Sequence, residues 1–171
     1  AGSFLVLDIC KKEYSEPKLY WNLLEVITKR KENRLDMKDD QLVDELDKRL
    51  QRSVNKRMIS DVPIGAFLSG GIDSSLIVAQ MQSLSKYPIN TFTIGFDVPG
   101  YNEAHHAMNI SRHLGTNHTE LYLNEKKALE IIPELTTIWD EPFADSSQIP
   151  TLLLSRLTKS SVSVALTGDG A

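Results

Sequence analysis

The chain has 171 residues, of which 41% are hydrophobic and 25% charged, and these proportions are typical of a folded globular domain. Its 19 lysines and arginines against 23 aspartates and glutamates leave a net charge of −4, so composition favours neither nucleic acid nor an anionic membrane as a partner. One cysteine excludes an internal disulfide and fits a reducing cytoplasm. No apolar run approaches the ~20 residues of a membrane helix, and we expect the chain, which begins without Met, to belong to a longer protein.

The first third of the chain predicts one short strand and one long surface helix. Phe4 to Ile9 has the character of a strand, and we expect residues 1–36 to be an edge strand and connector. Cys10 is predicted to lie in a strand as a small core residue. From Asp39 onward, apolar residues recur every four positions between charged ones, which predicts an amphipathic helix at the start of a domain spanning residues 37–171. These apolar residues are Leu42, Leu46, Leu50 and Val54.

After Asp61, short apolar segments alternate with helical segments. The predicted strands are 62–68, 90–96, 118–123 and 162–166, and the predicted helices are 74–84, 102–114, 126–139 and 149–158. Strands that alternate with helices at this spacing imply parallel βαβ units. The sequence therefore predicts an α/β fold with a three-layer, doubly wound parallel sheet.

The most unusual segment follows the first of these strands and has the sequence Ser69-Gly70-Gly71-Ile72-Asp73-Ser74-Ser75. Adjacent glycines permit a sharp turn that exposes consecutive N–H groups, and the next helix directs its positive end to the same point. The hydroxyls of Ser69, Ser74 and Ser75 add further donors. Because ligands bind at the carboxyl ends of strands in such sheets, this segment predicts a phosphate cradle.

Asp73 indicates that a metal ion also binds at the phosphate cradle. A carboxylate beside a phosphate is repulsive unless a cation lies between them, and Mg²⁺ suits that position. The alternative is an ordinary strand-to-helix turn with an acid in the first helical turn. Two glycines, three hydroxyls and an acid together favour the phosphate cradle. A Walker loop is excluded because Gly71 stands where its lysine belongs, and no G-x-G-x-x-G follows a strand.

The segment 69–74 resembles the S-G-G-x-D-S loop of the N-type ATP pyrophosphatases, which cleave ATP between its α and β phosphates. Three more segments are similar to the synthetase domain of the glutamine-hydrolysing asparagine synthetase family. They are 60–68 (SDVPIGAFL), 140–147 (DEPFADSS) and 166–170 (LTGDG). The resemblance covers residues 39–171 and implies the fold of the adenine nucleotide alpha hydrolases, also called the HUP fold.

The resemblance implies an ATP-dependent amidoligase. In the family, ATP with Mg²⁺ adenylates the side-chain carboxylate of aspartate, and ammonia then displaces AMP to give asparagine. The ammonia comes from glutamine through a preceding glutaminase domain, in the cytoplasm, and a homodimer is compatible with the resemblance. Relatives that amidate sugars or close β-lactam rings leave the acceptor open, and a non-catalytic adenine-nucleotide binding module is the alternative from another class.

The resemblance also assigns roles to residues. Leu68 and Ile94 match residues whose backbone contacts adenine, and Thr167 and Gly168 match a pair that lies against the nucleotide. Asp169 matches an acid linked to formation of the adenylate, although some relatives have Ser and Glu at positions 167 and 169. The residues expected around the phosphates are Ser69, Gly70, Gly71, Asp73, Ser74 and Ser75, with Asp73 as the metal ligand.

Two other groups of polar residues suit either a binding site or a solvated surface. Four histidines lack the carboxylates of a complete metal site, so we expect them to be solvated. They are His105, His106, His113 and His118. Asp140, Glu141 and Asp145 suit either a substrate or metal site or a solvated turn.

Overall fold

The computed structural model describes residues 2–96, 102–141 and 144–169. The chain divides into two compact units, Ala1–Val43 and Asp44–Ala171. Within the described ranges, every helix is too short or too polar to cross a bilayer.

The first unit contains two small antiparallel ladders and a helix, where the sequence predicted one strand and a connector. Strands β1 (Ser3–Phe4) and β4 (Lys18–Leu19) form one pair, and β2 (Leu7–Asp8) and β3 (Glu13–Tyr14) form the other. Helix α1 (Leu23–Glu32) follows. Its start has a recognisable signal, because the Asn22 side chain accepts a hydrogen bond from the Leu24 N–H as a helix cap.

The prediction for Cys10 is wrong. Cys10 is exposed and lies in a turn, not in a strand or a core. The cause is Asp8, whose Oδ1 accepts hydrogen bonds at 3.0 Å from the backbone N–H groups of both Cys10 and Lys11. This aspartate-stabilised turn ends the strand at Asp8.

The predicted amphipathic helix is present as α2 (Asp39–Arg57). Of the predicted apolar stripe, Val54 is buried at 3% exposure, whereas Leu42 and Leu46 are exposed. Val54 joins a core that also takes residues from the first sheet strand and the next two helices. The buried members are Val54, Ala66, Leu68, Ile77, Val78, Met81, Ile89 and Ala107.

The second unit holds a four-stranded parallel sheet. The strands are β5 (Ile64–Phe67), β6 (Asn90–Phe96), β7 (Asn117–Leu123) and β8 (Val164–Leu166), in the order β7-β6-β5-β8. The helices between them are α3 (Ile72–Leu84), α4 (Ala104–Leu114), α5 (Glu125–Ile138) and α6 (Gln148–Lys159). From β5 the chain adds β6 and β7 on one side and then returns to place β8 on the other. The strand order therefore reverses between β5 and β8.

Helices cover both faces of this sheet. Helix α4 packs on β6 and β7 and against α3, whereas α6 packs on the same two strands and against α5. Three successive residues of β6, Thr91, Phe92 and Thr93, are all buried, as expected of a strand covered from both sides. The predicted three-layer, doubly wound α/β fold is confirmed.

The expectation that all four histidines are solvated is wrong for His118. Its side chain is only 8% exposed, and its Nδ1 lies 2.9 Å from Thr91 Oγ1, the residue opposite it on β6. Its Nε2 lies 3.7 Å from Glu120 Oε1. Burial lowers the pKa of His118, and the nearby Glu120 carboxylate opposes this effect.

Candidate functional site

Residues 68–75, which comprise the loop after β5 and the first turn of α3, are held together by two serines. Ser69 Oγ and Ser74 Oγ lie 2.9 Å apart, and the Ser69 N–H donates to Ser74 Oγ at 3.2 Å. The Gly71 N–H donates to Ser69 Oγ at 3.3 Å. These contacts hold both hydroxyls at the start of α3, beside the positive end of the helix dipole.

The two glycines of this loop meet different constraints. Gly70 has φ +86°, and a Cβ there would stand 2.8 Å from His106 Cβ and 2.9 Å from the Ala107 nitrogen, so the fold itself requires glycine. Gly71 has an ordinary φ of −72°, and a Cβ there would meet only Ser69 Oγ, at 3.3 Å. The space beside Gly71 is therefore left open to a cavity.

A second loop, which follows β8, completes that cavity. Thr167 Oγ1 donates to Asp169 Oδ2 at 3.0 Å and accepts from the Asp169 N–H at 2.9 Å, which fixes the turn. Gly168 packs directly on the first turn of α3, because a Cβ there would stand 2.6 Å from the Ser74 nitrogen. The pairing of β5 with β8 thus brings the two loops together.

The resulting cavity, which we call the polar pocket, has a volume of about 260 Å³. It is lined by Phe67, Ser69, Gly71, Asp73, Ser74, Thr167, Gly168 and Asp169. Two predicted site residues stand apart from it. Gly70 lies against α4, and the hydroxyl of Ser75 donates to the Gly71 carbonyl at 2.6 Å, where it caps the helix backbone.

The charged groups of the polar pocket are two exposed carboxylates. Asp73 and Asp169 both line it, and among the residues that the structure describes neither forms an ion pair. The described residues also hold no cluster of three or more His, Cys, Asp or Glu side chains suited to a metal. Because Mg²⁺ takes one or two carboxylates and completes its shell with water and phosphate oxygens, this donor set fits magnesium bound together with a phosphate ligand.

A larger pocket, which we call the apolar pocket, adjoins the polar one and shares Phe67 and Ser69 with it. Its volume is about 610 Å³, within the range of small-molecule sites. Both residues expected near adenine, Leu68 and Ile94, line it. Leu68 is 1% exposed and belongs to the core, and its N–H donates to the Phe92 carbonyl at 2.9 Å.

Sequence reasoning missed most of the walls of the apolar pocket. They are Phe67, Phe92, Thr93, Phe96, Glu103, Ser146, Ser147, Pro150 and Leu154. Phe67 and Phe92 are partners in the β5–β6 register, so the sheet alignment brings them together. A detectable signal was the position of Phe67 and Phe96 at the carboxyl ends of two adjacent parallel strands, where ligands bind.

In the acidic segment before α6, the Asp145 side chain stabilises a turn. Its Oδ1 accepts hydrogen bonds from the Ser147 N–H at 2.8 Å and the Ser147 hydroxyl at 2.7 Å. These bonds lower the pKa of Asp145. Asp140 and Glu141 line a separate pocket of about 330 Å³ beside α5, and residues 142–143 of this motif lie outside the described residues.

Comparison with known proteins identifies the family. A sequence model of the asparagine synthase family matches residues 45–171. The chain belongs to the asparagine synthase family. This match includes the residues of both pockets, and it confirms the resemblance that the loop motifs indicated.

Individual relatives agree with this assignment. The chain is 37% identical over 172 residues to a putative glutamine-hydrolysing asparagine synthetase 2 of Methanocaldococcus jannaschii, covering 97% of this chain and 31% of that protein. It is 36% identical over 133 residues to the glutamine-hydrolysing asparagine synthetase 1 of Bacillus subtilis, covering 78% of this chain and 21% of that protein. The chain thus spans less than a third of the length of these curated relatives.

Among solved structures, an ammonia-dependent NAD synthetase of Campylobacter jejuni is similar, with a TM-score of 0.47 and 16% sequence identity. The similarity covers 75% of this chain and 56% of that one.

Proposed function

We propose that this chain is the nucleotide-binding part of an ATP-dependent amidoligase that adenylates the side-chain carboxylate of aspartate and forms asparagine. The observation that carries the proposal is the polar pocket at the strand-order reversal between β5 and β8, with the apolar pocket adjoining it beside β6, in a chain of the asparagine synthase family. In doubly wound sheets this reversal is the preferred ligand site.

In this proposal, ATP spans both pockets. The base lies against the aromatic and aliphatic walls of the apolar pocket, and the backbones of Leu68 and Ile94 provide polar groups at its edge. The β and γ phosphates occupy the polar pocket, over Gly71 and the serine hydroxyls. Phe67 and Ser69, which line both pockets, mark the position of the α-phosphate.

The chemistry proceeds in two displacements. A carboxylate oxygen of aspartate attacks the α-phosphorus, the bond from that phosphorus to the bridging β oxygen breaks, and pyrophosphate leaves with the electron pair. Ammonia then attacks the acyl carbon, the carbon–oxygen bond breaks, AMP leaves, and the nitrogen loses a proton. The loop N–H groups, the hydroxyls of Ser69 and Ser74 and the α3 dipole stabilise the leaving pyrophosphate.

Asp73 and Asp169 are the residues that would hold Mg²⁺ in the polar pocket. When bound, Mg²⁺ neutralises charge on the phosphates and on the pyrophosphate as it leaves. Asp73 lies in the first turn of α3, on the side of the departing phosphates, and Asp169 follows β8. We assign Asp169 the role of orienting groups around the α-phosphate, since Thr167 fixes its carboxylate through a hydrogen bond.

The wider setting also forms part of the proposal. Residues 37–171 belong to the synthetase domain, and residues 1–36 connect it to a preceding glutaminase domain that supplies ammonia from glutamine. The family match begins at residue 45 and the chain divides between Val43 and Asp44, both within α2 and shortly after this boundary. A cytoplasmic protein and a homodimer are expected by analogy with the family.

The test of the proposal is an assay of the full-length protein with ATP, Mg²⁺ and ammonia. Aspartate is supplied in one reaction, and an amino sugar precursor or a β-lactam precursor carrying a carboxylate in others. We expect asparagine and AMP to form only with aspartate. Product with another acceptor would reassign the substrate, and nucleotide binding without turnover on any acceptor would favour the non-catalytic module.

A further inference from the structure

The end of α4 is joined to strands β6 and β7 by a chain of polar contacts among Ser111, Thr116, Thr91 and His118, which we call the α4 network. The Thr116 hydroxyl, between α4 and β7, donates to Ser111 Oγ at 2.9 Å, and Thr116 Oγ1 lies 3.0 Å from Thr91 Oγ1. Thr91 Oγ1 also lies 2.9 Å from His118 Nδ1. Thr91 is fully buried and Ser111 is 3% exposed, so removal of either hydroxyl would leave a neighbouring polar atom unsatisfied.

Helix α4 rests on the sheet and on the loop after β5 through small residues. Its buried residues are Ala104, Ala107 and Ser111, which share one face of the helix. A Cβ at Gly95 of β6 would stand 3.1 Å from Ala104 Cβ, and a Cβ at Gly70 would stand 2.9 Å from the Ala107 nitrogen. Apolar contacts are not directional, whereas hydrogen bonds are. We therefore expect Ser111, one turn after Ala107, to fix the position of the helix along its axis.

We propose that the α4 network positions the loop after β5 for the phosphates of ATP, with Thr91 as its central positioning residue. This inference rests on the proposed function and deepens it. Thr91 lies on β6, and the carbonyl of its neighbour Phe92 accepts a hydrogen bond at 2.9 Å from the N–H of Leu68, directly before the loop. The loop is therefore held by α4 at Gly70 and by β6 at Leu68. A loop that presents N–H groups and hydroxyls to phosphates binds them well only when its geometry is fixed in advance.

Thr91→Val tests the inference, because valine replaces the hydroxyl by a methyl group of similar size. Calorimetric titration of the purified full-length protein with ATP and with AMP, both with Mg²⁺, separates the loop from the base site, since AMP lacks the β and γ phosphates. In Thr91→Val we expect the Kd for ATP to rise roughly fivefold or more and the Kd for AMP to change by about twofold at most. Ser111→Ala, at the other end of the α4 network, should act in the same direction. Thr91→Ser keeps the hydroxyl and should restore the parent ratio of the two Kd values.

Thr158→Val is the matched control, since Thr158 is likewise buried, at 5% exposure, and its hydroxyl donates to the Leu154 carbonyl within α6. It should lower the melting temperature but keep the parent ratio of the two Kd values. Thermal melting of every variant reports folding. Equal rises of both Kd values, or no rise in either, in folded Thr91→Val and Ser111→Ala overturn the inference while leaving the proposed function intact. A parent protein that binds neither nucleotide overturns the proposed function itself.

Discussion

Gly168 lies directly against Ser74, so that a Cβ at position 168 would stand 2.6 Å from the Ser74 nitrogen and 2.8 Å from its Cα. Ser74 in turn holds Ser69 through paired contacts of the two hydroxyls and the Ser69 N–H. The loop after β8 therefore positions the loop after β5. Their relation depends on backbone contact between two segments almost a hundred residues apart in sequence.

Substituting Gly168 tests this contact. Gly168→Ala should separate the two loops, because neither backbone segment can yield easily, and overpacking of this kind costs about 1–3 kcal/mol. We expect a lower melting temperature and weaker ATP binding. Thermal denaturation and calorimetry provide both values, and a variant with unchanged melting temperature and affinity would contradict the proposed role of the contact.

Substituting the two loop glycines should separate folding from binding. Gly71→Ala adds a methyl group in an ordinary backbone conformation, into space that we assign to a phosphate, so the protein should fold but bind ATP weakly. Gly70→Ala should instead reduce stability, because its φ of +86° and its contact with α4 exclude a side chain. Circular dichroism melts combined with nucleotide titration distinguish the two, and equal loss of stability in both variants would refute the assignment.

Asp73 should make nucleotide binding depend on magnesium. In the parent protein we expect ATP to bind tightly only when Mg²⁺ is present, since a free phosphate chain is repelled by the carboxylates of the polar pocket. Asp73→Asn should lose much of this dependence, and Asp61→Asn, which lies outside both pockets, should retain it. Calorimetry with Mg²⁺ and with chelator measures the effect. Identical Mg²⁺ dependence in Asp73→Asn and the parent would remove Asp73 from the metal site.

Asp169 should affect turnover more than affinity. Asp169→Asn keeps an oxygen that can accept the hydrogen bond from Thr167, but it removes the negative charge that we propose orients groups around the α-phosphate. In the full-length protein we expect pyrophosphate release to fall by at least tenfold while the Kd for ATP changes by less than threefold, because the interaction is strongest in the transition state. Unchanged turnover would show that the residue is misassigned.

The buried His118 should make stability depend on pH. Burial lowers its pKa in the folded state below the ordinary 6.5, so the unfolded chain binds the proton first as the pH falls. The free energy of unfolding should therefore decrease as the pH drops below about 6.5 and level off below the folded pKa. His118→Gln should flatten this part of the profile, whereas His113→Gln, on an exposed position of α4, should not. Urea denaturation between pH 5 and 7.5 measures the slope, and identical profiles for parent and His118→Gln would contradict the argument.

The sheet could be predicted from the sequence because its strands are short apolar runs bounded by strong turn signals. Asn90–Phe96, for example, is rich in β-branched and aromatic residues and forms β6 over the predicted residues. The first unit could not be predicted in the same way. Its strands have two residues each. The turns between them depend on local hydrogen bonds from the backbone to side chains, such as those that Asp8 accepts.

The polar pocket could be predicted from the sequence because its residues lie in two short segments, Phe67–Ser74 and Thr167–Asp169. The walls of the apolar pocket come from four separate segments, and only the strand register and the packing of α6 bring Phe92 near Leu154. The burial of His118 likewise depends on its pairing with Thr91 across the sheet, which no local pattern encodes.

The measurement that tests the central claim most directly follows the oxygen atoms of aspartate. The full-length protein is incubated with ATP, Mg²⁺, ammonia and aspartate labelled with ¹⁸O in its side-chain carboxylate, and the products are analysed by mass spectrometry. Attack of the carboxylate on the α-phosphorus predicts one ¹⁸O in each AMP and none in pyrophosphate. Formation of ADP with ¹⁸O in inorganic phosphate would place the attack at the γ-phosphorus and contradict the account.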